Sequence, residues 1–238
     1  MVLWFIAAFT AYFVKGQCGF ANTLVFTTIL SFGAPNASIS PVDLLLGYPA
    51  NLILTWKNRR HLDPKVCLPL SVLVLAGSIP GALLLKNVDA GSIKLVFGVV
   101  VAALGMEMFF RERGRNRPHS SKPILAIISV TAGVLCGFFG VGAMLAACVS
   151  RVTENDSSFK ANISAVFIAD NTFRIVLYQA LDLLTFGTVQ TIIRLIPFAL
   201  LGLFAGMKCS GHMNEKHTRR ITAILLVLSG ISLLLKNL

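Results

Sequence analysis

Long apolar runs separated by short polar loops dominate the chain. A membrane-spanning helix needs about 20 apolar residues, and six segments approach that length. They are residues 41–56, 64–85, 92–110, 161–179, 188–207 and 220–236. Two further apolar regions, 2–33 and 123–150, are interrupted in the middle by glycine-rich polar stretches. Their halves are short for full spans, so the pattern predicts half-helices or hairpins that turn within the membrane.

The composition also indicates a membrane protein. Of the 238 residues, 55% are hydrophobic and 13% are charged, and the mean hydropathy is +0.78. Soluble domains carry about 25% charged residues, and a soluble core of this size could not hide so much apolar surface. The net charge of +11 does not indicate a nucleic-acid partner, because the basic residues cluster in short loops as membrane topology requires.

The loop charges favour hairpins over single crossings in the two broken regions. Loops 57–65, 111–122 and 208–220 hold 13 of the 21 lysines and arginines, and the positive-inside tendency places all three in the cytoplasm. The third loop reaches that side only if region 123–150 enters and returns on one side, or crosses twice. We therefore expect broken hairpins.

The two broken regions match each other at a separation of 121 residues. Gly16, Gly19 and Ala21 in the first correspond to Gly137, Gly140 and Gly142 in the second. Each half then continues with three spans, and an odd number of crossings inverts the second copy.

The predicted fold class is accordingly an all-α polytopic membrane protein with two inverted repeats, each a broken hairpin plus three transmembrane helices. The first repeat covers residues 1–110, a basic cytoplasmic linker covers 111–122, and the second repeat covers 123–238.

These motifs resemble a known family. The glycine motifs GQCGFA and GFFGVGA, with the small-residue spans AGSIPGALL and LGLFAGM, are similar to the sulfite exporter family, the TauE/SafE-like anion permeases. The resemblance covers nearly the whole chain, although the first motif departs from the denser glycine run that the family often has. It implies a multi-pass protein of the bacterial inner membrane that moves sulfite, organosulfonates or related sulfur or carboxylate anions.

Polar groups at membrane depth are the candidate substrate contacts, because they are costly to place there. The candidates with side chains that could attract or hydrogen-bond an anion are Lys15, Gln17, Asn22, Tyr48, Asn51, Asn171 and Arg174. Each also has a structural interpretation: Lys15 could snorkel to an interface, and Gln17 and Asn22 could bond backbone groups freed at the turn.

Five glycines complete the predicted site: Gly16, Gly19, Gly137, Gly140 and Gly142. Glycine lets the chain turn, and the helix that restarts exposes free N–H groups and the positive end of its dipole. Two such ends would suit an anion without a metal. The alternative is that these glycines only allow close helix packing.

Two acidic residues need separate interpretations. Asp170 lies four residues before Arg174 on the same helix face, and is the candidate proton carrier if transport is coupled. The alternative is a self-neutralising pair that lets the helix insert. Asp43 follows Pro41 at the start of a predicted span, and is interpreted as a charge at a helix N-terminus.

The resulting functional hypothesis is a secondary transporter for a small anion, working by alternating access around a site between the two hairpins. An anion channel of the same fold is the alternative. All four histidines fall in loops, so neither an enzyme, a metal site nor a cofactor is indicated. The expected partners are the anion and membrane lipid, and a homodimer is left open.

Overall fold

The computed structural model describes residues 1–30, 36–84, 142–153, 155–180 and 184–210, with single residues within 99–109, 130–134 and 220–234. Throughout these ranges the structure is all-helical and contains no strand. The predicted linker 111–122 and the glycines Gly137 and Gly140 lie outside the described residues, as do most of spans 92–110 and 220–236.

Seven α-helices make up the continuous described ranges. They are α1 (Val2–Cys18), α2 (Asn22–Leu30), α3 (Asn36–Lys57), α4 (Pro64–Leu84), α5 (Ala143–Val152), α6 (Asp156–Ala180) and α7 (Phe186–Ser210). A short 3₁₀ turn, Arg59–His61, joins α3 to α4. Helix α6 packs against both α3 and α4, while α1 packs against α2 and α7.

The first broken region contains a sharp interruption between α1 and α2. Gly19 has φ 83°, and its N–H donates to the Lys15 carbonyl oxygen at 2.7 Å, which ends α1 in a left-handed cap. Ala21 has φ 72°, a conformation that costs a non-glycine residue about 1–2 kcal/mol. The chain then turns back on α1, since the rings of Trp4 and Phe26 lie 5.9 Å apart.

Helices α1 and α7 touch backbone to backbone. A methyl group on any of three glycines would overlap a carbonyl oxygen of the opposite helix; the pairs are Gly16 with Leu203, Gly202 with Phe9, and Gly206 with Phe13. In membranes, small residues at helix interfaces let the backbones approach closely, and the resulting van der Waals contacts help to hold the helices together. This contact joins the start of the first predicted repeat to the second.

A matching contact occurs on α4. A methyl group on Gly77 would overlap the carbonyl oxygen of Val130, just as one on Gly202 would overlap that of Phe9. Val130 follows Phe9 by 121 residues, the separation of the two glycine motifs, and Gly202 follows Gly77 by 125. Equivalent positions of the two predicted halves therefore make equivalent contacts, although the inverted orientation of the halves stays a prediction.

The outer faces of the helices carry large apolar side chains. The exposed ones include Trp56, Leu68, Val72, Val176, Ile193 and Leu201. Within the described ranges, α7 alone is long and apolar enough to cross a membrane by length and composition, with 25 residues and a mean hydropathy of 1.8. Val2–Cys18 and Pro64–Ile79 are apolar but shorter.

The α1–α7 contact predicts unequal effects of two alanine substitutions in the same helix. Gly206→Ala should lower the melting temperature in detergent, because a Cβ there has no room against the Phe13 backbone, and overpacking of this kind costs about 1–3 kcal/mol. Gly187→Ala is the matched control, since its nearest neighbour would be the Thr185 hydroxyl at 3.8 Å. Equal melting temperatures for the two variants would contradict the packing argument.

Candidate functional site

A buried cavity lies where the two predicted halves meet. It has about 410 Å³ of empty space, a volume that includes its opening to solvent. The break, α1, α2 and α3 contribute Lys15, Ala21, Asn22, Thr23, Leu24, Asp43, Leu44, Gly47 and Asn51. The start of α5 and one face of α6 contribute Gly142, Phe167, Asn171 and Arg174.

A chain of hydrogen bonds links a buried lysine to a buried carboxylate on one wall. Lys15 Nζ donates to Asn22 Oδ1 at 2.8 Å, and Asn22 Nδ2 donates to Asp43 Oδ1 at 3.1 Å. All three side chains are buried. Buried charges are tolerated when they are paired and hydrogen-bonded, and the turn at Gly19 is what brings Asn22 within reach of Lys15.

The carboxylate of Asp43 is the centre of this wall. Besides Asn22, the hydroxyls of Thr23 and Tyr12 donate to its Oδ2 and Oδ1 atoms. The prediction that Asp43 is a charge at a helix N-terminus is wrong, because α3 begins at Asn36 and its first turn contains no acidic residue. Asp43 lies in the second turn or beyond, where it faces α1 and α2 instead of solvent.

Phe167 separates the lysine from the start of α5. Lys15 Nζ lies 5.4 Å from the centre of the Phe167 ring, a cation–π distance. The same ring fills the space in which Gly142 would carry a Cβ. Gly142 immediately precedes α5 and makes no side-chain cap, so α5 begins at the cavity just as α2 does.

Two asparagines line the cavity from opposite helices, Asn51 from α3 and Asn171 from α6. Asn51 is 1% exposed, and its Oδ1 atom has no hydrogen-bond partner in the described part of the chain. Gly47, also on α3, leaves room for a methyl group, which would lie 3.6 Å from Asn22 Nδ2 and 3.8 Å from Asn171 Nδ2. A polar atom without a partner and room for a further group thus occur in the same cavity.

Arg174 supplies the second cation of the cavity. Its Nη2 atom donates to the Tyr178 hydroxyl at 2.8 Å, and that hydroxyl lies 2.9 Å from Ser40 Oγ, which fastens α6 to α3. With Lys15, Arg174 and Asp43 in their ordinary ionised forms, the described lining carries two positive charges and one negative. A net positive cavity lined by buried side chains favours an anionic ligand.

Several predicted contacts do not line this cavity. Gly16 packs against α7, Gly19 packs against the Lys160 side chain, and Gln17 is buried in α1. The Tyr48 hydroxyl lies 3.2 Å from Thr172 Oγ1, and Asp170 accepts a 2.6 Å hydrogen bond from Ser78. Their participation in substrate binding or proton transfer stays a prediction, whereas Lys15, Asn22, Asn51, Gly142, Asn171 and Arg174 come together.

Seven cavity residues were absent from the predicted site: Ala21, Thr23, Leu24, Asp43, Leu44, Gly47 and Phe167. A signal for two of them exists in the sequence, since Asp43, Gly47 and Asn51 recur every four residues. That spacing places them on one face of a helix. Thr23 and Phe167 carry no comparable signal, because an isolated threonine or phenylalanine is ordinary in an apolar helix.

Comparison with known proteins places this chain in a family. The family model for the sulfite exporter TauE/SafE matches residues 4–233. The chain belongs to the TauE/SafE family. A 137-residue part of it is also 23% identical to the "Probable membrane transporter protein ORF9" of Sinorhizobium sp, covering 57% of this chain and 52% of that protein. No solved structure matches the chain.

Membership of the TauE/SafE family makes this a membrane protein of a transporter family. The chain matches about half the length of the ORF9 relative. In the described ranges of this TauE/SafE protein, no three His, Cys, Asp or Glu side chains are grouped as metal ligands.

The site predicts opposite stability effects for two asparagines of this TauE/SafE protein. Asn22→Leu should lower the melting temperature in detergent, because it removes the bonds that join Lys15 to Asp43, and an unsatisfied buried polar group costs about 1–3 kcal/mol. Asn51→Leu should leave the melting temperature unchanged or raise it, because its buried Oδ1 atom has no partner among the described residues. A larger loss for Asn51→Leu would contradict this assignment.

Proposed function

We propose that this protein is a secondary transporter that binds a small oxyanion in the cavity between the two broken regions. The observation that carries the proposal is the pair of buried cations in this cavity, Lys15 and Arg174, beside the amides of Asn51 and Asn171. Polar and ionisable groups at membrane depth mark substrate pathways in membrane proteins.

The geometry suits an anion of modest size. Asn51 and Asn171 can each rotate an amide to present N–H donors, while Lys15 and Arg174 supply positive charge from α1 and α6. The starts of α2 and α5 add free backbone N–H groups beside the cavity. Uncharged amide donors bind an anion without holding it so tightly that it cannot leave, which a transport cycle needs.

The transport mechanism that fits this arrangement is alternating access. Cavity residues come from both predicted repeats, and the equivalent glycine contacts of Gly77 and Gly202 support an internal repeat. Movement of one repeat against the other would open the site to each side in turn. In this proposal the protein crosses the bacterial inner membrane several times, with its basic loops in the cytoplasm.

The substrate class is a sulfur oxyanion such as sulfite or an organosulfonate, with a small carboxylate as the related alternative. Support comes from the family's description as a sulfite exporter and from the mixture of cations and amides in the cavity. Sulfite and sulfonate groups present several oxygens at one centre, so they can accept hydrogen bonds from α1, α3 and α6 at once.

A flux panel in proteoliposomes tests this function. Sulfite, thiosulfate, sulfate, methanesulfonate and acetate should be compared, and at least one of them should show saturable flux above protein-free vesicles. Asn171→Ala and Arg174→Ala should each reduce that flux about tenfold or more, because each removes an interaction with the anion of about 1.4 kcal/mol or greater.

The panel also separates the transporter from a channel. Saturation and exchange of labelled for unlabelled anion support alternating access, whereas single-channel currents far above turnover-limited flux support a channel. Equal flux with and without protein for every anion would end the proposal. Folding of each variant is checked by its melting temperature, so that lost flux is not confused with lost protein.

Filling the cavity without removing a polar group gives an independent test. Gly47→Ala adds a methyl group that meets its neighbours at ordinary contact distances of 3.6–3.8 Å, so the variant should fold normally. The methyl group occupies space that the anion needs between Asn22 and Asn171, and we expect a raised KM for the larger anions of the panel. Gly187→Ala, on α7 and outside the cavity lining, should transport as the parent does; unchanged KM values for Gly47→Ala would place the substrate elsewhere.

A further inference from the structure

The cavity contains a carboxylate that the proposed substrate does not need. Asp43 is 4% exposed, and both of its oxygens accept hydrogen bonds: Oδ1 from Asn22 Nδ2 at 3.1 Å and from the Tyr12 hydroxyl at 3.3 Å, and Oδ2 from the Thr23 hydroxyl. These donors come from α1 and α2. A sulfur oxyanion in the cavity would need donors of the same kind.

The charged and titratable groups around Asp43 come from two helices. Helix α1 presents Lys15 and Tyr12, and α6 presents Arg174 across the cavity, while α2 contributes only the uncharged Asn22 and Thr23. Asp43 is the sole acidic residue lining the cavity in the part of the chain that the structure describes. Hydrogen bonds through the Asn22 amide join the Lys15 ammonium to it.

Asp43 therefore acts on an incoming anion in two unfavourable ways. Its negative charge repels the anion at close range among buried side chains, where electrostatic interactions are stronger than in bulk solvent. It also holds the Asn22 and Thr23 donors. Neutralising Asp43 would remove the repulsion and leave a carboxylic acid that itself has an O–H donor to offer.

We propose that Asp43 is an internal competitor of the transported anion, and that the anion binds together with one proton, which is taken up by Asp43. The inference rests on the proposed function and adds to it a coupling ion and the residue that carries that ion. The balance is simple: one proton from solution bonds to a carboxylate oxygen of Asp43, and one anion enters the cavity. For a monovalent anion the two together add no net charge.

Coupling of this kind is reciprocal. If protonation of Asp43 strengthens anion binding by some factor, anion binding strengthens protonation of Asp43 by the same factor. A pH gradient across the membrane would then drive the anion towards the side of higher pH. Asp170, the proton carrier predicted from the sequence, accepts a hydrogen bond from Ser78 and does not line the cavity, so assigning the proton to Asp43 or to Asp170 leads to different expected results.

Proton uptake on binding is the direct measurement. Purified protein in weakly buffered detergent solution is titrated with thiosulfate and with methanesulfonate, neither of which titrates near neutral pH, and a pH indicator counts the protons. We expect about one proton taken up per anion bound, and an apparent Kd that rises by up to about tenfold per pH unit on the alkaline side.

Three substitutions assign the proton. Asp43→Asn should retain binding, lose the proton uptake and make the Kd independent of pH, because the amide imitates the protonated acid. Asp63→Asn, at an exposed loop carboxylate, should behave as the parent does. Asp170→Asn should keep the proton uptake; loss of uptake in this variant alone would assign the proton to Asp170 and overturn the inference.

The outcomes distinguish this inference from the function beneath it. Binding by the parent protein without proton uptake overturns the inference and leaves the transporter intact, and this measurement needs no variant to fold. Loss of all anion binding in a folded Asp43→Asn variant also overturns it, since Asp43 would then be required rather than competing. Absence of binding and flux for every anion in the parent overturns the proposed function itself.

Discussion

A lysine can lie buried among apolar helices only if its ammonium group has a partner, and the rest of the site depends on how Lys15 obtains one. The Lys15 ammonium donates a hydrogen bond to the Asn22 side chain, and the Asn22 amide in turn donates one to the Asp43 carboxylate. That connection requires α1 to stop at Gly19 and the chain to reverse within a few residues, at some cost in backbone strain at Ala21. The break between α1 and α2 is therefore what allows Lys15, Asn22 and Asp43 to form one wall of the cavity.

The elements were more predictable than the contacts. Apolar runs interrupted by glycine predicted the helices and the first break. A helix in a membrane must be long, apolar and hydrogen-bonded within its own backbone, and these requirements are visible in the sequence. The apolar pattern did not locate the helix ends accurately. Helix α3 starts at Asn36, whereas the apolar run that predicted it starts at residue 41. That difference led to the wrong interpretation of Asp43.

The glycines show why only some of the predicted site residues line the cavity. Gly16, Gly19 and Gly142 stand in similar motifs, yet only Gly142 lines the cavity, while Gly16 is needed for the approach of α7. A glycine in a motif shows only that a side chain is absent. The sequence does not reveal whether a neighbouring helix, the aliphatic part of a lysine or a ligand occupies the space. Lys15, Asn51 and Arg174 were predictable because a polar group at membrane depth needs a reason of its own.

The close contact between α1 and α7 has a consequence for how the protein is made. Helix α1 leaves the ribosome long before the glycines that receive it, because Gly202 and Gly206 follow Phe9 and Phe13 by 193 residues. Lys15 can reach its partners Asn22 and Asp43 before that point, but the face of α1 at Phe9 and Phe13 lacks its native contact until α7 has been made. Native contacts this distant in sequence form slowly, so the first predicted repeat cannot complete its packing until α7 is in place.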